Sequence, residues 1–390
     1  MNKKTSIIIL IAAAIFAVST GLSLVLFSHI LPSTKLIQTI PPTKLANGSL
    51  QFDQNLPKIE SCPLNGVKYS TQQKQWWQQH GPLGVMVENH TEARPQSGLS
   101  YADIIYEAVA EGGITRFMGV FYCQDAPEIG PIRSARTYYI DFLSEYGAYP
   151  LYGHVGGANA AGPANALGQL DDYGWSGYND LNQFSIGFPT FWRDYNRVGR
   201  TVATEHTMYS TTTKLWDFAK TNRGLTQVDK NGKPWDTNFV SYSFKEDALA
   251  NARGTAQSIH LEFWTGLPDY FVNWVYDSAN NVYKRFDGSN QPYFDFDNKK
   301  QLSTKTLVIL HMAQDNASDG YQNNEHLLFQ DKGTGSATIF MDGKKVDGIW
   351  KKASRTARTL IYDNTGTPIT FDRGIIWFTV LPLDGVMSVK

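Results

Sequence analysis

IIYEAVAEGGITRFMGVFYC, residues 104–123, is the stretch that decides the fold. Apolar and β-branched residues fill 104–109 and again 115–123, each run of strand length, with Glu111-Gly112-Gly113 between them. The pattern reads as two strands joined by a tight turn, where glycine supplies backbone angles that other residues adopt only at a steric cost. Glu111 and Arg116 then flank the turn.

Working outward, residues 83–88 form a further strand of the same texture. Residues 134–146 (SARTYYIDFLSEY) place Tyr138, Phe142 and Tyr146 four apart behind Ser134, the signature of an amphipathic helix. A short helix is expected over 70–80 with Ser70 as cap, a strand over 151–155, and a helix over 211–222 stopped by Gly224. Strands interleaved with helices predict an α/β-type domain with a mixed sheet over 61–228. From 257 onward nearly every apolar run has strand length (259–264, 270–276, 282–286, 306–311, 337–340, 375–381), separated by turn pairs such as Asp287-Gly288 and Asp342-Gly343. Residues 257–390 therefore read as a mostly β domain, a sandwich or barrel, reached through a polar connection at 229–256. The fold class is α+β.

The 390 residues carry 35 basic and 36 acidic side chains. That balance lacks the basic surface on which sequence-independent nucleic-acid binding depends, so DNA and RNA are not expected partners. Residues 7–27 hold no charge and are long enough to cross a membrane. Lys3 and Lys4 precede this run, so residues 1–6 are read as a cytoplasmic tip, 7–27 as a single-pass anchor, and everything beyond as extracytoplasmic. The apolar run exceeds the 7 to 15 residues of a signal-peptide core, which favours an uncleaved anchor. Residues 28–60, with Pro32, Pro41, Pro42 and Pro57, read as a stalk. An oxidising compartment permits Cys62 and Cys123, the two cysteines, to pair.

The segment 94–136 (RPQSGLSYADIIYEAVAEGGITRFMGVFYCQDAPEIGPIRSAR), with His154-Val155-Gly156-Gly157 after it, closely resembles the YerB-like proteins of the domain-of-unknown-function 3048 family. Trp274-Val275-Tyr276-Asp277, Tyr283-Lys284-Arg285 and Gly348-Ile349-Trp350 resemble the companion C-terminal domain of that family. The resemblance implies a bacterial cell-envelope protein. Its typical members are lipoproteins, whereas no cysteine follows the apolar run of this chain.

Candidate chemistry concentrates in Glu107, Glu111, Arg116, Glu128, Arg133 and Arg136. Arginines at a strand end and a helix start could hold a carboxylate or phosphate. The plainer reading is an ion-pair network in which glutamates and arginines satisfy one another. His154 stands before Gly156-Gly157, where a side chain and backbone N–H groups can meet a ligand. Trp175 and Trp192 lie in an aromatic-rich loop, 173–195, suited to a sugar platform or to packing on itself. No G-x-S-x-G elbow or tight His ligand spacing occurs, so no metal or cofactor is expected. Asp171-Asp172 reads as a solvated turn. Three functions follow: binding of a cell-wall glycan, peptide stem, anionic polymer or cell-wall enzyme; a hydrolase or transferase using Glu107 or Glu111 with His154; and a scaffold for another exported protein.

Overall fold

The computed structural model describes residues 2–30, 41–45 and 48–390. They form two units, one over 1–41 and one over 42–390. The first contains helix α1, Lys3–Ile30. Its stretch Lys3–Gly21 is long and apolar enough to cross a membrane, and none of its described side chains is buried. The expected stalk falls partly outside the described residues, at 31–40 and 46–47. Its later part is not a free spacer. Phe52 is buried with its ring edge-on to Trp76 at 5.3 Å, and the Leu50 N–H donates to Asp125 at 2.9 Å, so ordered structure starts nearer residue 50 than residue 61.

In the second unit, helix α2 (Thr71–Trp77) is capped by Ser70, whose hydroxyl accepts from the Gln73 N–H at 3.2 Å. Strands β1 (Leu83–Val87), β2 (Ile104–Glu111) and β3 (Ile114–Phe121) follow. Gly112 and Gly113 turn β2 into β3 with φ of 54° and 80°, the doubly left-handed turn that matches strand twist. A Cβ on Gly113 would lie 2.3 Å from Leu267, so that turn is also closely covered. Next come α3 (Thr137–Leu143), β4 (Leu151–His154), α4 (Ala166–Asp172), β5 (Asp180–Asn182), α5 (Gln183–Ile186) and α6 (Thr212–Arg223). Helix α6 lies one residue later than the predicted 211–222, with Thr211 as its cap and Gly224, the predicted stop, left-handed at φ 66°. Helix α3 starts later than predicted. Ser134 and Ala135 are extended, Ala135 bridging to Gly157, so Arg136 and not Ser134 stands at the N-cap.

The C-terminal strands are β6 (Ser258–Glu262), β7 (Val272–Asp277), β8 (Val282–Asp287), β9 (Ser303–Thr304), β10 (Thr306–Met312), β11 (Gly333–Met341), β12 (Lys344–Lys352), β13 (Leu360–Asp363), β14 (Ile376–Pro382) and β15 (Val386–Val389). They divide between two sheets. One has ten strands in the order β13-β12-β11-β10-β14-β2-β3-β1-β4-β5, and the other has five in the order β9-β8-β7-β6-β15. The fold is thus α+β, with a large mixed sheet and a β-rich C-terminal region.

The expected boundary between 61–228 and 257–390 does not separate two cores, because β2 pairs in parallel with β14, Ile104 opposite Ile376. Nor is the connection at 229–256 loose: Trp235 is buried and its indole N–H donates to the Tyr122 hydroxyl at 3.1 Å. The five-stranded sheet packs on the larger one through Trp274 and Trp377, whose rings lie 4.9 Å apart. This is a layered arrangement and not a closed barrel. Strand β2 is buried along nearly its whole length, which explains a sequence of almost continuous small and apolar residues in place of alternation.

Cys62 and Cys123 form a disulfide with Cα atoms 6.0 Å apart. Their separation of 61 residues restricts the unfolded chain by about 3 to 4 kcal/mol. Asp103 beside it accepts from the Tyr122 and Cys123 N–H groups and from the Asn65 amide, each at 2.8 Å.

Glu107 lies in the middle of β2 with no exposed surface, and Arg285 on β8 grips both its oxygens at 2.8 and 2.7 Å. Arg285→Ala would strand that carboxylate and is expected to cost about 3 to 5 kcal/mol, read from urea unfolding. A Glu107→Gln, Arg285→Met pair should recover most of the loss, and equal damage in both variants would show that the ion pair is not the cause.

Candidate functional site

The far end of the β2–β3 hairpin meets the ends of β1 and β4. Glu88 follows β1 directly, and its N–H donates to the Pro131 carbonyl at 2.9 Å. Residues 132–135 run extended alongside, the Arg133 N–H reaching the Met86 carbonyl at 3.0 Å, before α3 begins. Between these segments opens a cavity of about 470 Å³ lined by Glu88, Glu111, Arg116, Arg133, Arg136 and His206, with Glu205 at its exposed rim.

Two carboxylates sit among three guanidinium groups. Glu111 pairs with Arg116 at 3.2 Å through one oxygen and with Arg136 through the other. Glu88 pairs with Arg133 and lies 3.9 Å from Arg116. His206 stands 3.7 Å from Glu88 and stacks face to face on His90 at 4.7 Å. Burial alone would raise the Glu88 carboxyl; the nearby His206 and the Arg116 and Arg133 charges outweigh it and hold it at about 2. Burial draws the Arg136 guanidinium below its usual value. Arg116 and Arg136 are both buried, and the Nε–H of each lacks a hydrogen-bond partner among the described residues. On the opposite wall Tyr321 stacks on His326 at 3.8 Å, and His326 is held by Asp319 at 2.7 Å. The arrangement offers an anion several fixed N–H donors in a partly dry setting.

Four residues predicted from sequence, Glu111, Arg116, Arg133 and Arg136, line this one cavity. The others lie elsewhere. Glu107 is closed off by Arg285 and by the Trp377 indole at 3.1 Å. His154 is fully buried, its ring nitrogens spent on Asp180 at 2.6 Å and the Gly156 carbonyl at 2.7 Å. Glu128 pairs with Arg197 at 2.6 Å, and burial raises its carboxyl to about 7. Trp175 is a core residue against Tyr152 and Tyr173, and Trp192 lies on a short strand with Lys214 5.2 Å over its ring. Asp171 and Asp172 end α4 in solvent. Sequence reading missed Glu88, His90, His206, Tyr321 and His326. Only Glu88 left a local trace, as an acid closing the apolar run 83–87.

The N-terminal domain of the protein family of unknown function DUF3048 matches residues 66–226, and its C-terminal domain matches residues 259–378. The chain belongs to the DUF3048 family. A Bacillus subtilis (strain 168) relative described as "Putative lipoprotein YerB" is 25% identical over 329 residues, 82% of this chain and 86% of the relative. The crystal structure of YerB from Bacillus subtilis is similar in fold, with a TM-score of 0.68 at 22% identity, covering 85% of this chain and 100% of that one. Both DUF3048 domains build the cavity, since Tyr321 and His326 come from the segment matched by the second. Family relationship, apolar N-terminal helix and disulfide together mark an exported or envelope protein.

Because Glu88 titrates at about 2 when folded and near 4.5 when unfolded, it stabilises the protein fully above pH 4.5. That contribution, on the order of 3 kcal/mol, is lost as pH falls from 4.5 towards 2. Unfolding free energies measured between pH 6 and pH 2.5 should fall more steeply in the wild type than in Glu88→Gln; parallel curves would refute the assignment.

Proposed function

We propose that the protein is a single-pass envelope protein, its N-terminus cytoplasmic and its folded unit outside, which binds an anionic group of a cell-envelope component in the Arg116, Arg133 and Arg136 cavity. The supporting observation is that two buried guanidinium groups keep unpartnered N–H donors beside an open space of about 470 Å³. The structural lock Arg285 also keeps an unpartnered Nε–H, but it is enclosed by aromatic rings, so the open space beside Arg116 and Arg136 is what distinguishes this cluster. Here Glu88 and Glu111 orient the guanidinium groups, and a carboxylate or phosphate completes their coordination. The enzymatic alternative draws on Glu107, Glu111 and His154. Burial of Glu107 and His154 in closed pairs away from the cavity favours binding over that alternative.

Full-length protein in detergent, immobilised, should retain anionic cell-wall fragments, with retention falling as salt rises. Arg133→Ala should lower the melting temperature, because the buried Glu88 loses one of its cations, and should weaken retention several-fold in the folded protein. Arg133→Ala plus Arg136→Ala should abolish it. Undiminished retention by the folded double variant would overturn the reading.

A further inference from the structure

A second cavity of about 500 Å³ adjoins the first and shares Arg133, Ser134, Gly157, Asn159 and Glu205 with it. Across that shared wall the chemistry changes. The first chamber is charged, whereas the second is walled by Val155, Leu167, Met208 and Phe184, with Gly156 and Gly157 in its lining and Arg193 at the rim.

Phe184 is the unusual member, because 74% of it faces solvent. A phenyl ring left in water forgoes the burial that normally stabilises it. Its backbone is nevertheless held in place. One Asn182 oxygen accepts from the Phe184 N–H at 3.2 Å and from the Gly156 N–H at 3.1 Å, tying α5 to the turn after β4. Gly156 has φ of 56°, and a Cβ there would come 2.9 Å from the ring, so the aromatic edge rests on bare backbone. The result is a held aromatic lip beside a surface without side chains, which a flat ligand can approach closely.

We infer that the two cavities form one bipartite site for an acidic sugar. Its carboxylate or phosphate lies among Arg116, Arg133 and Arg136, its ring rests against Phe184 beside Gly156 and Gly157, and Arg133 bridges the two chambers. This rests on the anion-binding reading above and adds the class of ligand. A pyranose has an apolar C–H face to match Phe184 and hydroxyl groups to match Asn159 and Arg193. A simple anion would fill only the first chamber, and a neutral sugar only the second.

The test is calorimetric titration of the full-length protein in detergent with N-acetylmuramic acid, glucosamine 6-phosphate, N-acetylglucosamine and lactate. At least one acidic sugar should bind ten-fold or more tightly than both lactate and N-acetylglucosamine. Which of the two acidic sugars does so identifies the anion as carboxylate or phosphate. Phe184→Ala should reduce the ratio of acidic-sugar to lactate affinity to about one. Phe188→Ala, also exposed and just beyond α5 but outside both cavities, should leave that ratio intact. If Phe184→Ala keeps the wild-type ratio while Arg133→Ala weakens acidic-sugar binding, the second chamber is unused and the anion reading stands. If neither lactate nor any acidic sugar binds the wild type, the anion reading fails, and this inference with it.

Discussion

A carboxylate in the middle of a sheet covered on both faces must find a cation, and Glu107 finds Arg285. The guanidinium lies within 5.0 to 5.5 Å of the ring centres of Phe117, Trp274, Tyr293 and Trp377, so both partners are removed from water together. Such a pair need not stabilise the fold more than an apolar pair of the same size would. Its force lies in the penalty for any arrangement that separates it. Strand β8 is thereby tied to β2, and the five-stranded sheet to the ten-stranded one. A second buried cluster, Glu145 with Lys352 and Arg358, links α3's end to β12 and the loop after it, and the two cations hold the Glu145 carboxyl below its usual range against the opposing effect of burial.

The site inherits its geometry from these locks. Glu111 ends the strand that Glu107 anchors, and Arg116 leaves the turn on the partner strand. Once β2 is pinned between β3 and β14, the hairpin end has one position, and Arg133 and Arg136 reach it from the extended segment beside β1. Tyr321 and His326 complete the cavity from a loop between β10 and β11, available because the second half of the chain is built into the same sheet as the first.

Much of the local structure was legible in the residues. Ser70 caps a helix where its side chain says it should, Gly224 stops another, and Gly112-Gly113 turns a hairpin. The grouping of Glu111 with Arg116, Arg133 and Arg136 was also legible, because these residues are close in sequence and sit at element ends. Glu107, His154 and Trp175 misled because each has the chemistry of a site residue and the surroundings of a core residue. Burial depends on Arg285, Asp180 and Tyr152 arriving from elsewhere, and no local pattern encodes that arrival. His206 and His326 were missed for the converse reason, lying in loops whose destination is set by distant strands.

By itself the sequence determined the kind of many elements, the membrane-length helix, the two cysteines able to pair and the cluster of charge around the hairpin, since periodicity, length and turn chemistry act over a few residues. Tertiary structure alone decided that the two halves share one sheet, which carboxylates are structural and which face a cavity, and that an exposed phenylalanine borders it. Those outcomes depend on strand pairing and on burial of charge between residues as distant as Glu107 and Arg285, where the energy belongs to the meeting of the groups and to neither stretch of chain alone.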